Sequence, residues 1–169
     1  MKKLFGLALV GIMCAAFAGC ATANADRQGV PLVSVDESIS LKDGYYTNDN
    51  DESYIRIEGN KIELSGLDIE AYAEKSWEDA IAELDSAERE RQLTHRDEYI
   101  NNTMNDAKAT FALQEYTPVT FSLPDQKRTV LALNYVKDSQ TYEGYSLKSD
   151  DSIGMIGNVY HYCGTELPQ

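Results

Sequence analysis

The chain is poor in the residues that usually fix a small fold or advertise its chemistry. It has three cysteines, two histidines, one tryptophan and four prolines in 169 residues. Cys14 and Cys20 lie near the N-terminus, and only Cys163 falls in the region expected to fold. An intramolecular disulfide would need Cys20 to stay unmodified and reach Cys163, so the body must be held by its core. There is no G-x-S-x-G nucleophile elbow, no H-E-x-x-H helix and no glycine loop of the kind that cradles phosphate, which removes the easily recognised hydrolases, zinc peptidases and nucleotide users. Cations are scarce as well: 15 Lys+Arg stand against 28 Asp+Glu, a formal charge of −13. Such a surface repels a phosphate backbone, so nucleic acid is not expected as a partner, and it is ill suited to lying on anionic headgroups.

One apolar run stands out, Leu4 to Ala18, preceded by Lys2 and Lys3. Its length is that of a secretory h-region and short of the roughly twenty residues a spanning helix needs. Small residues follow, as a cleavage site requires. Phe17-Ala18-Gly19-Cys20 resembles the lipobox of bacterial lipoproteins, with Phe17 in place of the usual aliphatic residue. The resemblance covers the leader alone and implies diacylglycerol on Cys20 and cleavage before it. The rival is Ala23-Asn24-Ala25, an A-x-A site that would release a soluble protein. An uncleaved anchor is the third reading, and all three place the domain outside the cytoplasmic membrane. Loss of the two leader lysines takes the charge from −13 to −15.

The sequence divides into a signal peptide (1–19), a flexible tether (20–38) and one α+β domain (39–169) with a helical insertion over about 67–112. A three-stranded meander opens the domain: a strand over Leu41-Lys42-Asp43-Gly44-Tyr45-Tyr46, a second with Ile55 and Ile57 on one face, and a third with Ile62 and Leu64 on one face. Glu58-Gly59-Asn60 turns between the last two. At Gly66 the period changes. Ile69, Tyr72, Ala73, Trp77, Ala80, Ile81 and Leu84 form the stripe of an amphipathic helix, capped by Asp68 and expected to run through Arg91, with Asp85 and Arg89 as an i,i+4 pair. Asn101-Asn102-Thr103 is poor helix material. Strands return after Pro118, over Val119–Leu123, Thr129–Val136, Gly144–Leu147, Ser152–Met155 and Val159–Cys163, with Pro124-Asp125 and Gly157-Asn158 turning. About eight antiparallel strands and one or two helices are expected. They form a β-meander sheet or small calycin-like barrel, with the Trp77 stripe packed on it or plugging its mouth. Gly44-Tyr45 to Ser53 is echoed by Gly144-Tyr145 to Ser152, a pattern that short meanders reach by convergence.

Three features bear on chemistry. His161 and Cys163, two apart in a strand, share a face and could supply two zinc ligands or a thiol beside a base, although zinc needs three or four ligands and His95 lies on the helical insert. Asn48-Asp49-Asn50-Asp51-Glu52 invites a calcium reading, yet an EF-hand count from Asp49 puts Tyr54 at the glycine position and Asn60 at the bidentate glutamate position, so a polar hairpin turn is expected. Eleven tyrosines stand against four phenylalanines. Tyr45, Tyr46, Tyr54, Tyr135, Tyr142, Tyr145, Tyr160 and Tyr162 fall in or beside strands, where β-propensity alone can explain them. A ring with a polar tip also suits a wet binding surface for sugar or protein, and Tyr45, Tyr54, Tyr145, Tyr160 and Tyr162 are the candidate binding residues.

The sequence favours an exported, lipid-anchored, noncatalytic binding domain for a protein, peptide or glycan, with no cofactor. Three alternatives remain: an inhibitor or sequestering protein for a cationic target, a metal-assisted hydrolase using His161 and Cys163, and a calycin-like carrier of a small apolar ligand.

Overall fold

The computed structural model describes residues 32–123, 126–133 and 144–168. The leader, Cys20, the A-x-A site, the Pro124-Asp125 turn, Tyr135 and Tyr142 lie outside the described residues. Among those residues the chain forms nine strands and three helices in an α+β arrangement, one strand and one helix more than the hydrophobic pattern predicts.

The expected meander forms as β2 (Gly44–Thr47), β3 (Tyr54–Glu58) and β4 (Lys61–Ser65), its first strand starting at Gly44 rather than Leu41. Ile55, Ile57, Ile62 and Leu64 turn inward, and Gly59 holds the turn at φ +60°. Gly66, at φ +75°, ends β4 where a Cβ would come within 2.6 Å of the Glu52 carbonyl oxygen, so the chain leaves the sheet at a point only glycine fits.

The helical insert begins at α1 (Ile69–Ala82), capped by Asp68 through the Ala71 amide at 3.0 Å. The expected continuous helix breaks at Glu83. Asp85 accepts from the Glu88 amide at 2.9 Å and so starts α2 (Ser86–Leu93). Arg89, expected to pair with Asp85, instead donates to the carbonyls of Ile81, Ala82 and Leu84 at 3.2, 3.1 and 3.3 Å and closes the end of α1. α3 (Arg96–Phe111) runs straight through Asn101-Asn102-Thr103, because burial of Ile100, Ala107 and Phe111 outweighs low local propensity. Trp77 neither packs on the sheet nor plugs it. With Ala73 and Ile100 it forms a second core inside the helical insert, its ring 5.3 Å from that of Tyr99. The base of the insert (Ile69, Tyr72, Ala107, Phe111) joins the sheet core instead.

After the helices come β5 (Gln114–Leu123), β6 (Gln126–Leu133), β7 (Gly144–Ser149), β8 (Ser152–Met155) and β9 (Asn158–Gly164). Every pairing is antiparallel. β2 pairs with β9 and β5 with β6, so the eight strands β2 to β9 close in a ring in sequence order. The ninth strand, β1 (Leu32–Val35), lies in the stretch expected to be tether. It pairs with Val119–Ser122 of β5, while β4 holds the same edge of β5 only through Gln114 and Glu115. β1 and β4 therefore share one long edge end to end, with the β3–β4 turn at their division, where the Tyr116 amide donates to the Asn60 carbonyl at 2.9 Å. The helical insert leaves from the far end of β4, after Ser65, and returns at Gln114, the start of β5. The inward positions of the ring hold large side chains, among them Tyr46, Tyr145 and Tyr160, each 0% exposed.

Candidate functional site

Of the five candidate tyrosines, the structure removes two from any surface. Tyr145 and Tyr160 are buried in the ring, opposite Leu131 and Ile153 respectively. The Tyr160 hydroxyl meets Ser53 Oγ at 2.8 Å, whereas the Tyr145 hydroxyl has no hydrogen-bond partner. Burial holds the ionisation of both above the ordinary tyrosine range. Tyr46 is pushed up to about 12, chiefly by burial, with its hydroxyl donating to the Lys42 carbonyl at 3.1 Å. Tyr162 also points inward. It is half-buried, 5.3 Å from the Tyr46 ring, and donates to the Asp43 carbonyl at 3.3 Å, with Lys42 Nζ 5.1 Å above its ring.

Tyr45 and Tyr54 remain. They stand on the outer face of β2 and β3, half-exposed, with rings 5.6 Å apart in an edge-to-face arrangement. Strand register places Tyr45 beside Arg56 and Arg56 beside Glu63, and Arg56 Nε donates to Glu63 at 2.8 Å. The bond to Glu63 raises the Arg56 pKa, and the register sets Arg56 directly opposite Tyr45. Thr47 completes the same face, paired with Tyr54 on one side and His161 on the other. Sequence reasoning singled out the two tyrosines but not Arg56, Glu63 or Thr47. Strict alternation from Tyr45 and Tyr54 would have placed all three on the tyrosine side.

His161 and Cys163 are both exposed on the outside of β9; their spacing predicts a shared face but not that it is the outer one. The register slips there: Tyr46 pairs with Tyr162 and Tyr45 with Gly164, which leaves Cys163 as the extra residue of a bulge, its Sγ 3.2 Å from the Tyr45 carbonyl oxygen. Among the described residues no three His, Cys, Asp or Glu side chains come together as a metal site, so this pair is a half-set without further ligands there.

The Asn48–Glu52 turn closes on itself. The Asp51 carboxylate accepts from Asn48 Nδ2 at 2.9 Å, from the Ser53 amide at 2.8 Å, from Asn158 Nδ2 at 3.0 Å, and from the Ser53 hydroxyl. These bonds, that of the Ser53 side chain foremost, hold its pKa below the ordinary carboxylate value. The acidic run is thus the polar turn that its composition predicts, and it ties the β2–β3 connection to the start of β9.

No protein-family model, no characterised protein sequence and no solved structure matches this chain.

Proposed function

We propose that this protein is an extracytoplasmic, lipid-anchored binding module that performs no catalysis and engages a protein, peptide or glycan through the outer face of β2 and β3. The observation that carries the reading is the Tyr45–Tyr54 pair, two half-exposed rings held edge to face beside the Arg56–Glu63 ion pair. The core absorbs Tyr46, Tyr145 and Tyr160, yet leaves these two rings in contact with water. Rigid aromatic surface with polar tips, backed by a fixed guanidinium, binds flat or extended partners at low entropic cost. The leader motif Phe17-Ala18-Gly19-Cys20 supports anchoring by an acyl chain. No helix among the described residues is long and apolar enough to cross a membrane.

The test has two parts. Labelling with a fatty-acid analogue is expected to mark the wild type and not Cys20→Ala; equal labelling of both removes the anchor. Glycan and peptide arrays are expected to show a ligand whose affinity drops at least tenfold, about 1.4 kcal/mol, in Tyr45→Ala/Tyr54→Ala. An affinity that survives the double substitution rejects this face.

A second reading, sequestration of a cationic target, is favoured by Glu70, Glu74 and Glu78, exposed at successive turns of α1. Binding of that kind would collapse with added salt, and indifference to salt would discard it.

A further inference from the structure

Acids outnumber bases 28 to 15 in this chain, yet three cations line a single groove. Lys127, Arg128 and Lys148 border an open cleft of about 750 Å3 between β6, β7 and the Asp36–Ile39 segment. It lies four strands around the ring from the tyrosine pair of β2 and β3. Thr129, Ser146 and Ser149 add hydroxyls to its lining.

Two observations separate this groove from an ordinary solvated surface. The first is how Lys148 is seated. Gly154, buried on the neighbouring strand, leaves room for the lysine stem: a Cβ at that position would come within 2.6 Å of Lys148 Cε. A glycine inside a strand weakens pairing unless something approaches closely there, and here that something is the lysine. The second is that Lys148 has no ion-pair partner among the described residues, in a chain where acids outnumber bases nearly two to one. Asp36, on the opposite wall, is occupied in a different way. Ser38 donates to it from its hydroxyl at 2.5 Å and its amide at 3.3 Å, and Lys127 stands 3.8 Å away. Those bonds, the Ser38 hydroxyl first, lower its pKa and keep it charged. Asp150 is the second carboxylate of the lining and is exposed.

We propose that this groove binds a small phosphate-bearing ligand, with Lys148 and Lys127 supplying charge and Ser146 a hydroxyl donor; the Thr129 and Ser149 hydroxyls are engaged with those of Thr120 at 2.9 Å and Ser152 at 2.6 Å. Lysine ammonium groups and a short hydroxyl donor match the three-oxygen face of a phosphate monoester. The acidity of the whole chain does not forbid this. Charges beyond a Debye length of about 8 Å are largely screened at physiological salt, so a small ligand in the groove responds to the local cations. A long polyanion such as nucleic acid would extend over the acidic remainder and be repelled. Free sugar phosphate and a phosphate headgroup at a membrane share this chemistry.

Calorimetric titration of the full-length protein distinguishes the outcomes, with inorganic phosphate, glucose 1-phosphate and glucose as soluble probes. Vesicles of phosphatidylcholine with and without phosphatidic acid provide the membrane arm. Saturable binding of glucose 1-phosphate but not glucose is expected, weakened at least tenfold in Lys148→Met, which keeps the stem and removes the charge. Gly154→Ala, which displaces only the flexible end of Lys148, is expected to weaken it similarly, and Lys127→Gln to weaken it less. Binding confined to phosphatidic acid vesicles and lost in Lys148→Met assigns the ligand to a headgroup. Absence of saturable binding to every phosphate probe overturns the proposal, as does binding that both Lys148→Met and Gly154→Ala leave unchanged. Neither result touches the tyrosine face, which the Tyr45→Ala/Tyr54→Ala variant tests separately.

Discussion

Tyr145 and Tyr160 occupy equally buried positions, but their hydroxyls differ. An orphaned buried hydroxyl costs about 1–3 kcal/mol, while a made hydrogen bond contributes about 1 kcal/mol. Tyr145→Phe is therefore expected to be neutral or stabilising by about 1 kcal/mol, and Tyr160→Phe, which removes a made hydrogen bond to Ser53 Oγ, to destabilise by about 1 kcal/mol. Urea denaturation midpoints of the two variants read the difference, and equal losses would refute it. The buried tyrosines also fix the alkaline limit. Their folded pKa values lie above the unfolded value near 10, so the fold keeps its full stability below that pH and loses it as pH rises further. Phenolate absorbance is expected to show the buried set ionising only with cooperative unfolding. Asp51 works in the other direction. Its depressed pKa adds stability above about pH 4 that disappears as pH falls through the folded value, so Asp51→Asn should flatten the acid limb of a plot of melting temperature against pH. At this scale the sequence was only half legible. Which tyrosines share a face follows from alternation, but which face is inside depends on strands far away in the chain. The echo between Gly44-Tyr45 and Gly144-Tyr145 shows this well: Tyr45 faces out and Tyr145 in, even though Ser53 and Ser152 are both buried.

Among the elements, those with a strong period were the readable ones. The β2–β4 meander, the α1 stripe and the glycine turns at Gly59 and Gly157 announce themselves through local sequence. The break between α1 and α2 was missed because Asp85 can serve equally as a helix-surface acid or as an N-cap, and Arg89 decides the matter by turning back onto α1. Asp85→Ala is expected to cost about 1 kcal/mol, in line with loss of an N-cap. β1 was missed because four residues after a proline carry too little pattern, and its pairing with β5 is a long-range fact. Trp77 belongs to a core of its own, separate from that of the ring. Trp77→Ala should therefore cost about 3–5 kcal/mol where it is felt. The damage should be local: hydrogen exchange would quicken across α1 and α3 and stay slow in β3 and β6. Uniform loss of protection would show that the two cores unfold as one.

The whole molecule is governed by a closure no local segment could reveal. β9, at the C-terminal end, pairs with β2, the first strand of the ring, and Asn158 reaches back to Asp51 and Asn50 in the β2–β3 turn. Contacts of such sequence separation put the fold among slow, high-contact-order topologies. A nascent chain can assemble the β2–β4 meander and the helical insert early, but the inward faces of β2 and β8 stay wet until β9 arrives. Synthesis order thus withholds the native state until β9 has emerged, and a stop codon after Gly157 would yield an open, protease-sensitive sheet rather than a slightly smaller domain.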